Sequence, residues 1–290
     1  MKVAISGGSG QLARRVADLV LEKLSPQDLI VTTRTPAALA PLAERGVTVR
    51  RADFAEPASL RDAFAGAERL LLVSTTDLKT RTAQHLAAVD AAKAAGVRHI
   101  VYTSCLRPEP PNPAAVAPSH HATEQALKAS GLAWTALRNS LYAEYQLMEG
   151  QQALASGVLL HNRGTGAVAY VSREDCAAVA AAVLLQGGHE GAVYDVTGGK
   201  PFTPDDLAAL YSRLGGKPVQ ARAVSDDEFI AALTSAAPGD SHARYGAELF
   251  ASFGRSIREG YMSSCTDVVA KLTGRAPIAL EQVLAPLGKS

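Results

Sequence analysis

Residues 7–13 read Gly7-Gly8-Ser9-Gly10-Gln11-Leu12-Ala13. They stand between an apolar run (Val3, Ala4, Ile5) and an amphipathic one through Val16, Leu19, Val20 and Leu24. A turn of this composition suits phosphate binding. Gly7 permits a tight turn, and Gly10 has no side chain to hold a pyrophosphate off the backbone. Ala13 is small enough for close helix–strand packing, and the helix N-terminus offers free N–H groups and a partial positive charge. The pattern is a Gly-x-x-Gly-x-x-Ala variant of the dinucleotide fingerprint, with the strand before it and the helix after it that the fingerprint requires. An ordinary strand-to-helix loop is the alternative reading.

The next charged residue with a chemical implication is Arg34, in the run VTTRT. NAD-binding chains usually carry a carboxylate at the end of this second strand, for the ribose hydroxyls. A guanidinium instead suits a 2′-phosphate, so NADPH is the expected cofactor. Asp53 and Phe54 follow the third strand, where they could bracket an adenine; Phe54 equally suits the core. Many reductases of this architecture protonate an alkoxide with a Tyr and a Lys four residues later, yet none of the eight tyrosines has Lys at i+4. In SHHATEQALKASG, His120 and Glu124 are one helical turn apart. His120 is a candidate for proton transfer and equally a helix-start histidine. His121 points elsewhere.

Positioning these residues takes an alternating scaffold. Strand-like runs occur at 2–6, 28–33, 47–51, 70–75, 98–103 and 133–138, with helical patterns near 10–24, 36–45, 57–66, 80–95 and 120–130. Most of the strands are apolar throughout, as burial on both faces demands. Strands separated by helices predict right-handed βαβ units: an α/β fold with a doubly wound parallel sheet of the Rossmann type. Five prolines in 107–118 predict a surface loop. After residue 143 the expected strands are 157–161, 167–171, 192–197 and 218–224. The expected helices there are 143–155, 173–186, 203–214, 226–235 and 266–274. Residues 1–143 are read as the NADP-binding domain. Residues 144–290 are read as a smaller α/β lobe, with some elements crossing between the two.

The 290 residues are 47% hydrophobic, enough for a large core, and the net charge of +1 favours neither nucleic acid nor an acidic membrane. No apolar run approaches the roughly 18 residues that span a bilayer. The N-terminal apolar stretch is too short for a secretory leader. Three widely spaced cysteines suggest reduced thiols and a cytoplasmic location. No zinc-binding spacing occurs, so no metal is expected.

Several segments in order resemble the NmrA-like, atypical short-chain dehydrogenase/reductase family: SGGSGQLA, VTTRTP, RRADFAEPASLRDAFAG, AAKAAGVRHIVYTS, HHATEQAL, LRNSLYAEY and HEGAVYDVTGG. The resemblance is strongest to its NAD(P)H:quinone oxidoreductase and triphenylmethane reductase branch. It implies cofactor contacts from Gly7, Gly8, Ser9, Gly10, Gln11, Leu12 and Arg34. It adds Ser74, Thr75 and Thr76 after the fourth strand, and Arg138, Asn139, Ser140, Leu141, Tyr142 and Ala143 after the sixth. Asn139 and Tyr142 are thereby implied near the nicotinamide, as candidate catalytic residues. Two departures are Gly7-Gly8, where relatives often have Gly-Ala, and the proline-rich loop. The missing Tyr/Lys pair fits such an acceptor. A quinone is reduced to a stabilised phenolate that water can protonate, so orientation matters more than an acid. The expected activity is NADPH-dependent hydride transfer to a quinone-like, conjugated electrophile. The alternative is a non-catalytic dinucleotide sensor, which the family also contains. A homodimer is left open.

Overall fold

The computed structural model describes residues 1–235, 237 and 239–289. Nine strands are described: β1 (Val3–Ile5), β2 (Leu29–Thr33), β3 (Thr48–Arg51), β4 (Arg69–Leu72), β5 (His99–Cys105), β6 (Ala133–Asn139), β7 (Val158–His161), β8 (Ala192–Val196) and β9 (Gln220–Ala223). The helices are α1 (Gln11–Leu21), α2 (Ala40–Glu44), α3 (Ala58–Phe64), α4 (Arg81–Ala94), α5 (Ala117–Ala129), α6 (Tyr145–Ser156), α7 (Arg173–Leu185), α8 (Pro204–Gly215), α9 (Asp226–Thr234), α10 (Ser241–Arg258), α11 (Val268–Thr273) and α12 (Leu280–Val283).

Seven strands form one sheet in the order β3-β2-β1-β4-β5-β6-β8, every pair parallel. The order reverses between β1 and β4. That switch point opens a crevice beyond the carboxyl ends of the strands. Side chains alternate across the sheet as the pleat requires. Val3, Ile5, Val31 and Leu71 meet α1 and α7 on one face. Ala4, Ile30, Leu70 and Tyr102 meet α3, α4 and α5 on the other. β7 and β9 make a separate two-stranded parallel sheet. A third core there joins Leu159 of β7 to Leu207, Leu210 and Tyr211 of α8 and Ile257 of α10.

β8 returns from the C-terminal half to pair with β6. α7 packs on α1, and Arg15 donates to both oxygens of Glu174 at 2.6 and 2.8 Å. The expected strand at 167–171 is corrected. That segment threads between two others, with Tyr142–Val171 and Val168–Phe202 as isolated bridges. Its carbonyls and amides are divided among 141–143, 198 and 202, so no continuous ladder forms. The proline-rich segment is a loop after β5, exposed at Arg107, Glu109, Pro110, Pro111 and Ala115, and it is also anchored. Asn112 and Ala114 are buried, Asn112 Oδ1 accepts from Ser256 Oγ at 2.8 Å, and Ala115 N–H donates to Ser252 Oγ at 3.0 Å. α5 starts three residues earlier than expected, with Pro118 in its first turn, where a missing N–H costs nothing. α10 was not anticipated. Its fully buried residues are Ala247, Ala251, Ser252, Gly254, Ser256 and Ile257, mostly small, but Tyr245, Leu249, Phe253 and Ile257 form a bulky stripe at four-residue spacing that marks the helix.

Candidate active site: a cleft at the switch point

β1 ends at Ile5, and Ser6 ties it to β4: its N–H donates to Leu71 O, and its Oγ accepts from Val73 N–H. The chain then turns through Gly7 at φ +68°, a conformation that suits glycine. Gly10 caps α1 without a side-chain bond, so the first-turn N–H groups of α1 have no capping partner. A cleft of about 1270 Å³ opens there. Its lining includes Gly7, Ser9, Gly10, Gln11, Leu12, Arg34, Asp53, Phe54, Ser74, Thr75 and Thr76. It continues past His120, Asn139, Ser140, Leu141 and Tyr142 to Leu249, Phe250, Phe253 and Met262.

Three expected contacts lie outside this lining. A Cβ on Gly8 would overlap Val31 Cγ1 and crowd Leu39, so the glycine serves packing of the turn onto β2. Arg138 is turned away from the cleft into an ion pair with Glu124, at 3.0 and 2.7 Å, and with Glu109. Ala143 is buried in the C-terminal core, with its N–H bonded to Val171 O.

Arg34 is exposed at the end of β2. Asp53 Oδ1 accepts from Ala55 N–H, which fixes the turn after β3. Phe54 is half-buried: it lines the cleft and packs on the core beneath. The loop after β4 is pinned by Ser74 N–H to Thr103 Oγ1 at 2.9 Å and Thr75 N–H to His85 Nε2 at 3.0 Å. At the end of β6, Asn139 Oδ1 and Ser140 Oγ are buried with no partner among the described residues. Buried polar atoms are rarely left unpaired. Tyr142 is stacked on Tyr145, with ring centroids 6.2 Å apart, and the Arg173 guanidinium lies over both rings at 4.9 and 5.1 Å. Burial holds its phenol well above the ordinary range, so it stays protonated.

His120 is 4% exposed. Glu124, its expected neighbour, is committed to Arg138 and to Ser104 Oγ. His120 Nδ1 is instead 2.7 Å from Tyr102 Oη, which also lies 3.1 Å from His85 Nδ1. Burial and the nearby Arg81 cation hold His120 well below its ordinary range, and His85 falls to about 3 for the same reasons. Both imidazoles are neutral at physiological pH.

The chain matches the NAD(P)H-binding family over residues 7–186. It is 35% identical to quinone oxidoreductase 2 of Escherichia coli over 98% of each chain, and 30% identical over 96% of its own length to an NmrA-like oxidoreductase of Aspergillus flavus. The chain belongs to the NAD(P)H-binding, NmrA-like family. The E. coli NADPH-dependent quinone oxidoreductase complexed with NADPH superposes with a TM-score of 0.93 over 98% of this chain and 99% of that one. The triphenylmethane reductase of Citrobacter sp., complexed with NADP(H), is 33% identical and reaches 0.90 over 99% and 100%.

In this member of the family, sequence reasoning missed Arg81, Tyr145 and the α10 aromatic residues of the cleft, and the buried His85 and Tyr102 behind it. Two signals were available: Tyr245, Leu249, Phe253 and Ile257 repeat every four residues along α10, and α4 carries a second stripe. Arg81 and His85 fall on the i, i+4 stripe that continues as Ala88, Val89 and Ala92, the buried face of α4.

Proposed function

We propose that the chain is an NADPH-dependent reductase that transfers hydride directly to a quinone or similar conjugated electrophile. The observation that carries this reading is the single cleft. It joins the uncapped turn of α1 and Arg34 at one end to Leu249, Phe250, Phe253 and Met262 at the other, past the unpaired atoms of Asn139 and Ser140. The 35% identity to a quinone oxidoreductase supports the acceptor class.

The residues present fit the dinucleotide. The N–H groups at the start of α1 suit a pyrophosphate, and Gly10 keeps that approach open. Arg34, exposed beside the cleft, suits the 2′-phosphate. The unpaired Asn139 Oδ1 and Ser140 Oγ suit the nicotinamide carboxamide. When bound, NADPH supplies the hydride. Tyr142, held under Arg173 and against Tyr145, forms a wall that orients the reacting rings. The aromatic residues of α10 exclude water from the acceptor end. No residue in the cleft is a strong general acid, and a quinone does not need one. Residues 1–143 hold the cofactor in this reading, and residues 144–290 shape the acceptor pocket.

The test is NADPH oxidation against benzoquinones, naphthoquinones and triphenylmethane dyes. Quinone turnover with NADPH preferred over NADH is expected. A protein that binds NADPH tightly and reduces none of them is a sensor, and the reductase reading fails.

A further inference from the structure

Arg81 stands on the first turn of α4, is 7% exposed and lines the cleft. Its Nε is buried without a partner, and its guanidinium makes no side-chain hydrogen bond or ion pair among the described residues. A buried cation is expensive unless it is paired. Two largely buried guanidinium groups follow that rule: Arg138 is paired with Glu124, and Arg163 with Glu149. Arg81 instead lies near Tyr102, Cys105, Tyr142, Tyr245, His85 and His120. None of these supplies a negative charge at neutral pH: burial pushes the Cys105 thiol up to about 12 and the Tyr102 and Tyr142 phenols higher still. The Arg81 guanidinium is therefore a cation in the cleft with no ion-pair partner among the described residues, although the cleft also holds the carboxylate of Asp77, which accepts from Thr80 Oγ1 and Lys79 N–H instead.

We propose that Arg81 binds the acceptor oxygen on which negative charge develops, and so selects quinones and other oxyanion-forming acceptors over cationic dyes. The proposal rests on the reductase reading and narrows its acceptor class.

A second donor stands beside it. Thr75 N–H donates to His85 Nε2, so the proton of neutral His85 is on Nδ1. That proton faces Thr123 Oγ1 and Tyr102 Oη, at 3.0 and 3.1 Å. The Thr123 hydroxyl donates its own hydrogen bond to Ser119 O. Tyr102 O–H is left to donate to His120 Nδ1. Neutral His120 must then carry its proton on Nε2, the nitrogen with no partner among the described residues, in a residue that borders the cleft. Tyr102 and His85 are positioning residues for this tautomer.

Hydride addition brings the quinone one proton and two electrons and oxidises the nicotinamide. The product is a hydroquinone monoanion, with its charge on one oxygen, and solvent supplies the second proton. A fixed guanidinium and an imidazole N–H stabilise that charge as it forms, without reorganising. A cationic dye accepts hydride at carbon and becomes neutral. It meets Arg81 as a like charge in a dry site and gains nothing as it reacts.

Arg81→Met tests this. Quinone kcat/KM should fall about a hundredfold or more. NADPH affinity should stay within about threefold, and turnover of a triphenylmethane dye cation should hold or rise. The thermal midpoint should hold or rise, because an unpaired buried charge has been removed. The wild-type protein loaded with NADP+ should bind 4-nitrophenolate, and the variant should not. Arg81→Lys keeps the charge and should keep the preference for quinone over dye cation, whatever its stability. Quinone kcat/KM within about threefold of wild type in Arg81→Met, an equal loss of NADPH affinity, or equal 4-nitrophenolate binding by both proteins overturns the proposal and leaves the reductase reading standing. Absence of turnover with every acceptor overturns that reading; the 4-nitrophenolate titration still decides whether Arg81 holds an anion.

Discussion

Arg34 is exposed, borders the cleft and has no ion-pair partner among the described residues. Its removal therefore strands no carboxylate and should leave folding unchanged. Loss of a charge-assisted phosphate contact should cost NADPH binding about 1.5–3 kcal/mol, roughly ten- to a hundredfold. Calorimetry on Arg34→Ala should show that loss for NADPH and little change for NADH; an equal loss for both would remove Arg34 from the 2′-phosphate. Two glycines in the same turn should separate under one substitution. Gly10 lines the cleft with an extended backbone at φ −79° that valine accepts, and a Cβ there would approach only Gly7 O, at 3.2 Å. Gly10→Val should fold and fail to bind NADPH. A side chain on Gly8 would instead press into Val31 and Leu39. Gly8→Val should lose about 1–3 kcal/mol of stability by overpacking, as read by denaturant melts.

At the scale of elements, α4 and α5 share a design. Each runs back along the sheet from its N-terminal turn at the cleft. Each puts polar groups on the first turns of its buried stripe and apolar ones deeper: Arg81 and His85 before Ala88, Val89 and Ala92; His120, Thr123 and Glu124 before Leu127. Tyr102 of β5 reaches between them because the pleat aims it at that layer. This arrangement makes stability depend on pH. His85 titrates at about 3 when folded, against about 6.5 when unfolded, so between those values the unfolded chain binds the extra proton. Stability from this group is intact above pH about 6.5 and falls as pH drops toward 3, by up to about 1.4 kcal/mol per unit. His120 adds in the same direction. Denaturant midpoints at about pH 7 and about pH 5 should differ more in wild type than in His85→Gln. An equal difference in both proteins would mean that the imidazole is not held neutral.

Across the whole molecule, the cleft depends on how the C-terminal elements seat. α10 docks through Gly254, where any Cβ would collide with the Asn162 side chain. Asn162 Nδ2 in turn donates to Ala251 O and Asp226 Oδ1, at 2.9 and 2.8 Å. Ser252 and Ser256 of the same helix fasten the 107–118 segment. Leu249, Phe250 and Phe253 reach the cleft only if this docking holds. Gly254→Val should therefore raise acceptor KM and lower kcat together, with NADPH affinity within about threefold of wild type. Steady-state kinetics beside a cofactor titration would show it; parallel loss of NADPH binding would mean that the two regions fold as one unit.

The sequence by itself determined the alternating architecture, the glycine turn and the guanidinium at the end of the second strand. Each is written in local pattern: strand runs such as LIVTT, the glycines at 7, 8 and 10, and a guanidinium where a carboxylate would otherwise stand. α10 went unread although Tyr245, Leu249, Phe253 and Ile257 repeat every four residues; what that pattern does not show is how the helix docks, which the small residues beside the stripe, Gly254 above all, decide. The sequence placed Arg138 by its neighbours along the chain, while Glu124, brought up by α5, turns that side chain away from the cleft. The acceptor end was decided by tertiary structure alone. Whether Arg81 is a solvated charge, half of an ion pair or an unpaired cation depends on which side chains the fold brings around it. The tautomer of His120 depends on a chain through Thr75, His85 and Tyr102, from three different elements or loops. Both are properties of neighbours in space, and one chain's linear order does not specify them.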